Sequence, residues 1–168
     1  MAYGATNSGK TYTIFGDREG ETHNNNKGLA YQCGDYLINN LFKEGYSFFF
    51  SYLEIYNENV QDLLVERDEK KHYLHIFEDC NGKINIPDLT KVEVENYEHL
   101  CQLIEKGNFI RAQASNNMNQ RSSRSHALLQ IDIYSVEDQE NQVQRKPVDA
   151  NFMIIDLAGS EKSTPYYQ

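Results

Sequence analysis

A chain of 168 residues is long enough for one domain with a sizeable core and too short for two. Its 25 acidic and 16 basic residues give a net charge of −9, which argues against a nucleic-acid partner, because phosphate backbones select for clustered Lys and Arg. Met1 opens no basic-then-apolar leader, no run approaches the ~20 apolar residues of a membrane span, and Cys33, Cys80 and Cys101 form no C-x-x-C pair, so a soluble intracellular protein with reduced thiols is expected.

In chain order, Gly4-Ala5-Thr6-Asn7-Ser8-Gly9-Lys10-Thr11 is a glycine-punctuated turn, and Thr11 to Phe15 continue it as the start of a helix. Asp17 to Lys27, with Gly20 and Asn24-Asn25-Asn26, is polar enough for an exposed loop. Leu29, Cys33, Tyr36, Leu37 and Leu41 recur at helical spacing and predict an amphipathic helix whose apolar stripe faces a sheet. Ser47 to Tyr56 is aromatic and β-branched, and its unbroken Phe48-Phe49-Phe50 suits a strand buried on both faces. Asn57 is expected to cap a short helix carrying Val60, Leu63 and Leu64. Residues 66–72 read as a charged surface loop in which Lys70-Lys71 is a solvated face.

Leu74 to Val94 reads as short strands and turns around Asn81-Gly82, a hairpin signal. Asn96 is placed to cap a helix with Tyr97, Leu100, Leu103, Ile104 and Ile110 on one face, running into a polar segment from Ser115 to Arg124. Ala127, Leu129, Ile131 and Ile133 alternate with Leu128, Gln130, Asp132 and Tyr134, the pattern of a strand with a more polar second face. Gln139 to Ala150, holding Pro147, is expected as a polar hairpin loop. Phe152-Met153-Ile154-Ile155 is short and wholly apolar, and reads as a buried central strand that delivers Asp156 to its C-terminal end.

The opening segment fits G-x-x-x-x-G-K-T, in which glycines let backbone N–H groups wrap phosphate oxygens, a lysine reaches the terminal phosphates and a threonine hydroxyl meets magnesium. A flexible glycine-serine turn is the plain alternative. The apolar strand ending in Asp156 argues against it, because nucleotide sites of α/β sheets lie at that edge. His72 and His75 form H-x-x-H in what reads as loop or strand, so metal ligation there is not expected. His126 lacks a nucleophile with a supporting carboxylate and reads as structural, positioning the segment around it.

Three segments in order, Gly4 to Thr11, Asn119-Gln120-Arg121-Ser122-Ser123-Arg124-Ser125-His126 and Asp156-Leu157-Ala158-Gly159-Ser160-Glu161, resemble the phosphate loop, switch I and switch II of the kinesin motor family at every fixed position. Ser51-Tyr52-Leu53-Glu54-Ile55-Tyr56-Asn57-Glu58 followed by Asp62-Leu63-Leu64 is similar to the family's central strand and the short helix after it. Ala2-Tyr3 with Gly4-Ala5-Thr6, Gly107-Asn108 with Arg111 and Gln113, and Ser125-His126-Ala127 with Gln130-Ile131 are most similar to the kinesin-8 group. The resemblance implies an α/β P-loop NTPase with a mixed central β-sheet flanked by helices. Residues 1–168 would be one partial motor domain, phosphate loop through switch II, incomplete at both ends.

By the same resemblance the cofactors are ATP and Mg2+. Gly4, Ala5, Thr6, Asn7, Ser8, Gly9, Lys10 and Thr11 would surround the phosphates, and Tyr12 would lie against adenine. Thr11, Ser123 and, through water, Asp156 would complete the metal shell. Gly159 would offer its N–H to the γ-phosphate, and Arg124 with Glu161 would form the salt bridge between the switches. The implied activity is a microtubule-stimulated ATPase coupled to movement along microtubules, in the cytoplasm on the cytoskeleton. Coiled-coil and homodimer-forming regions would lie outside this chain. The net charge gives no help with microtubules, themselves acidic. Lys162 followed by Pro165-Tyr166-Tyr167 departs from the family's helix-forming continuation. The competing class is a truncated or degenerate motor that binds nucleotide or protein partners without catalysis.

Overall fold

The computed structural model describes residues 1–17, 27–65, 73–115, 123–139 and 142–161. The expectations placed on most of the loop from Asp17 to Lys27, on Lys70, Lys71 and His72, on residues 116–122 and on Pro165-Tyr166-Tyr167 lie outside these residues.

Helices α1 (Lys10–Phe15), α2 (Leu29–Leu41) and α3 (Tyr97–Ser115) accompany strands β1 (Tyr46–Tyr56), β2 (Asn59–Asp62), β3 (Phe77–Glu78), β4 (Ile84–Asn85), β5 (Val92–Glu93), β6 (His126–Gln139) and β7 (Gln142–Asp156). The main sheet runs β2-β1-β6-β7, with β5 also on β1, and all of these pairings are antiparallel. A parallel element enters through Ala2, which bridges to Asp156, so the sheet is mixed as expected. Ala2 N–H donates to the Ile155 carbonyl at 2.8 Å, and Leu157 N–H donates to the Ala2 carbonyl at 3.3 Å. This short parallel link sets the phosphate-loop segment beside the end of β7.

One face of the sheet carries the core. Phe48, Phe50, Tyr52, Leu129, Ile131 and Ile154 pack against Ile38 of α2 and Leu100, Leu103 and Ile104 of α3, and each such side chain stabilises the fold by about 1.5–3 kcal/mol of transfer free energy. The stripe read from sequence is the buried stripe of α3. Asn96 caps this helix, its side-chain oxygen accepting from His99 N–H at 2.8 Å. Gly107 allows α3 to lie directly on β1, because a Cβ there would run into the ring of Tyr52.

The stripe expected on α2 is displaced, since Leu29 and Tyr36 are exposed while Ala30, Tyr31, Gly34 and Ile38 are buried, and three further expectations need correction. Asn57 does not cap a helix: Asn57 and Glu58 take φ of 50° and 61° and form the two-residue turn of the β1–β2 hairpin. Such tight hairpin turns demand left-handed residues, which Asn supplies with little strain. The Asp62 carboxylate then accepts from Leu64 N–H at 2.7 Å and Thr90 N–H at 2.8 Å, turning the chain under the sheet without a helix.

The second correction concerns Gln139 to Ala150, which is mostly strand. Beyond Ser135 the described residues of the β6–β7 hairpin pair as strands with each other, from Val136 with Arg145 to Gln139 with Gln142, while Val136 N–H also donates to the Gly45 carbonyl at 2.8 Å. A two-stranded ribbon satisfies its backbone without an apolar face, so the periodicity that marks other strands is missing. Pro147 is accommodated opposite Tyr134, beside a register shift between Asp132 and Tyr134.

Third, burial on both faces holds only in part. Met153 of β7 is 40% exposed and, with Leu53, Ile55 and Leu128, faces a broad groove of about 930 Å3 bounded by Ile84 and Ile86. Phe49 is half-buried and meets Tyr134 edge-on, ring centroids 5.0 Å apart.

Candidate functional site

The loop from Gly4 to Gly9 turns tightly. Ser8 N–H donates to the Ala5 carbonyl at 3.2 Å, Asn7 and Gly9 have φ of 64° and 87°, and Thr13 N–H donating to the Gly9 carbonyl at 2.8 Å starts α1. Gly9 is required by that left-handed φ. Lys10 at the head of the helix folds its ammonium back over the loop, donating to the Gly4 carbonyl at 2.9 Å and the Ala5 carbonyl at 2.7 Å. Thr11 donates its hydroxyl to Asp156 Oδ2 at 2.9 Å.

The segment after β7 lies across this loop. Ser160 N–H donates to the Gly4 carbonyl at 3.1 Å, and Gly159 N–H donates to the Ser123 carbonyl at 2.7 Å. Ala158 N–H donates to His126 Nδ1 at 3.1 Å, so His126 ties the start of β6 to this segment. The Glu161 carboxylate accepts from Thr6 twice, from the backbone N–H at 2.9 Å and from the hydroxyl. Those hydrogen bonds hold Glu161 below the ordinary glutamate range. Glu161 thus rests on the phosphate loop here, whereas the resemblance implies Arg124 as its partner.

The structure therefore gathers Gly4 to Thr11, Ser123, Asp156, Gly159 and Glu161 around one point, although 155 residues separate Thr6 from Glu161. Ser123 takes part through its carbonyl, Arg124 is exposed on the same stretch, and the Tyr12 ring is exposed on α1.

Beneath them lies a group that sequence reasoning did not single out as functional. Arg111 of α3 is 2% exposed; its Nη1 donates to Asp156 Oδ2 at 3.0 Å, its Nη2 to Ser125 Oγ at 3.3 Å, and its Nε lies 3.6 Å from Glu54 Oε1 of β1. Burial opposes the guanidinium charge, yet Tyr52, Asp156 and Glu54 together hold its pKa above the usual arginine value. One cation thus ties the central strand to the start of β6 and to the end of β7. A clue was available, since Leu100, Leu103, Ile104, Gly107 and Arg111 fall on one helical face and a charge on that stripe demands a buried partner.

Among the described residues no group of three or more His, Cys, Asp or Glu side chains could hold a metal. Asp156 Oδ1 is buried without a hydrogen-bond partner. No described helix is long and apolar enough to cross a membrane.

The sequence profile of the kinesin motor domain matches residues 1–166. Relatives include the kinesin-like protein KIF19 of Xenopus laevis, 37% identical over 98% of this chain, and the kinesin-like protein tea2 of Schizosaccharomyces pombe, 34% identical over 100% of it. The chain spans 16% and 25% of the length of those two proteins. A solved structure of a fast kinesin superposes with a TM-score of 0.79 at 28% identity, covering 96% of this chain and 44% of that one. With the profile match running through all three segments that carry the resemblance, the chain belongs to the kinesin motor domain family.

Proposed function

We propose that this chain supplies the nucleotide site of an ATP-driven microtubule motor, binding ATP with Mg2+ and hydrolysing it in step with movement along microtubules. The observation that carries the proposal is the parallel link from Ala2 to the end of β7, which lays the Gly4–Thr11 loop beside Asp156 and the Gly159–Glu161 segment. In P-loop ATPases the barrier falls mainly through positioning and electrostatics rather than covalent chemistry. Lys10 exchanges its loop carbonyls for phosphate oxygens, and Gly4 to Thr11 wrap the phosphates with backbone N–H groups. Gly159 reads the terminal phosphate, Ser123 and Arg124 supply the other switch, and Tyr12 offers its exposed ring to adenine.

A magnesium ion suits the residues present. The Thr11 hydroxyl meets Asp156, and Asp156 keeps a second, buried oxygen without a partner, matching an ion that is held by few protein groups plus phosphates and water. When bound, the ion neutralises charge building on the phosphates. Arg111 fixes the Asp156 carboxylate for that role.

The kinesin-8 group is our placement within the family, on the similarity of Ala2 to Thr6 and of Gly107 to Gln113. The cytoskeleton is the expected location. Binding of a fluorescent ATP analogue, with magnesium and with a chelator, tests the reading. Saturable binding that is lost in Lys10→Ala and weakened by the chelator is expected; equal binding to wild type and Lys10→Ala would refute the site.

A further inference from the structure

We infer that Glu161 is an internal competitor of the terminal phosphate: its carboxylate clamps Thr6 at the point where a γ-phosphate is read, so ATP has to displace it and ADP does not. The inference rests on the nucleotide-site reading above.

The physical basis is the occupancy of donors. Three of the groups able to read an anion at this corner already have acceptors within the chain. Lys10 donates to the Gly4 and Ala5 carbonyls, Gly159 N–H to the Ser123 carbonyl, and both donors of Thr6 to Glu161. Of these acceptors only Glu161 carries a full negative charge, so it resembles a phosphate oxygen pair in both geometry and sign. The Lys10 ammonium also attracts this carboxylate.

Position sets the two occupants against each other. A Cβ on Gly159 would collide with both the Glu161 carboxylate and the Thr6 hydroxyl, so the carboxylate lies directly against the Gly159 backbone that reads a terminal phosphate. Thr11, at the end of the loop that serves the inner phosphates, donates to Asp156 rather than to Glu161. A nucleotide ending at its second phosphate can dock there with the clamp in place. A third phosphate has to expel the carboxylate, and the expelled Glu161 then becomes available to Arg124. The clamp thereby lowers ATP affinity selectively and couples arrival of the γ-phosphate to a change of partner at Glu161.

The test is titration of the whole protein, with Mg2+ throughout, by a non-hydrolysable ATP analogue and separately by ADP, in wild type, Glu161→Ala and Glu161→Asp. Aspartate keeps the charge but is one methylene too short to hold both donors of Thr6. Both variants are expected to bind the ATP analogue about fivefold to twentyfold more tightly, the scale of one charge-assisted hydrogen-bonded contact removed, and to bind ADP within about twofold of wild type. Equal changes for the two nucleotides, weaker binding of the ATP analogue, or a shift in Glu161→Ala that Glu161→Asp fails to reproduce would overturn the clamp. Absence of saturable binding of either nucleotide to wild type would overturn the nucleotide site itself, and the clamp with it.

Discussion

The two ends of β6 carry the same chemistry in opposite settings. At the His126 end, Arg111 meets Asp156 at 3.0 Å and Glu54 at 3.6 Å with every side chain almost fully buried. Toward the far end, Arg145 meets Glu93 at 2.7 Å and Lys91 meets Asp132 at 2.5 Å, but the Arg145 and Glu93 side chains are 42% and 41% exposed. Distance ranks the outer pairs first, and environment reverses the ranking. In water an ion pair is screened and its partners are solvated when apart, whereas removing one member of a dry cluster leaves the others charged and unsolvated. The inner cluster fixes geometry at the site; the Arg145–Glu93 pair joins an exposed ribbon to β5.

Arg111→Met sharpens that comparison most. It is expected to remove about 3–5 kcal/mol of stability by urea denaturation, because Glu54 and Asp156 would remain buried without their cation. A loss below about 1 kcal/mol would break the comparison by showing that water reaches the cluster. Gly107→Ala comes next: the new Cβ meets the fully buried Tyr52 ring, and overpacking of about 1–3 kcal/mol outweighs the gain of up to about 1 kcal/mol in helix propensity. A raised melting temperature in this variant would refute the close approach of α3 to β1.

Asn96→Ala, which deletes the cap of α3, should cost about 1 kcal/mol, measurable as a shifted denaturation midpoint with unchanged slope. Smallest of all is the outer pair. A double-mutant cycle on Glu93 and Arg145 should give a coupling of about 0–1 kcal/mol, vanishing near 1 M salt, where the screening length falls to about 3 Å. A coupling above about 2 kcal/mol that survives such salt would show that the ribbon end is drier than its exposure suggests.

What could be read from sequence follows the range of the forces involved. The loop at Lys10 and Thr11, the strand ending at Asp156 and the stripe of α3 were legible because each rests on spacing within a dozen residues. The turn at Asn57-Glu58 was misread because Asn serves both as a helix cap and as a left-handed turn residue, and its own segment does not choose between them. The outer ribbon was misread because a strand with no buried face has no alternation to show. The role of Arg111, named from sequence only for its similarity to the kinesin-8 group, was missed for a third reason: its partners Glu54, Ser125 and Asp156 come from three other stretches of the chain, and only the fold brings them together. The contact of Glu161 with Thr6 is of the same kind.

The parallel link at Ala2 has a consequence for the order in which this molecule folds. The β1–β2 and β6–β7 hairpins close short loops, whereas joining Ala2 to Asp156 closes a loop of nearly the whole chain through two backbone hydrogen bonds. Local pairings form first and the longest closure comes late. The phosphate corner is therefore expected to assemble after the sheet and to open before it, with amide exchange at Ala2 and Leu157 faster than along β1 and β6. Substitutions in this corner would then speed unfolding and leave the folding rate almost untouched.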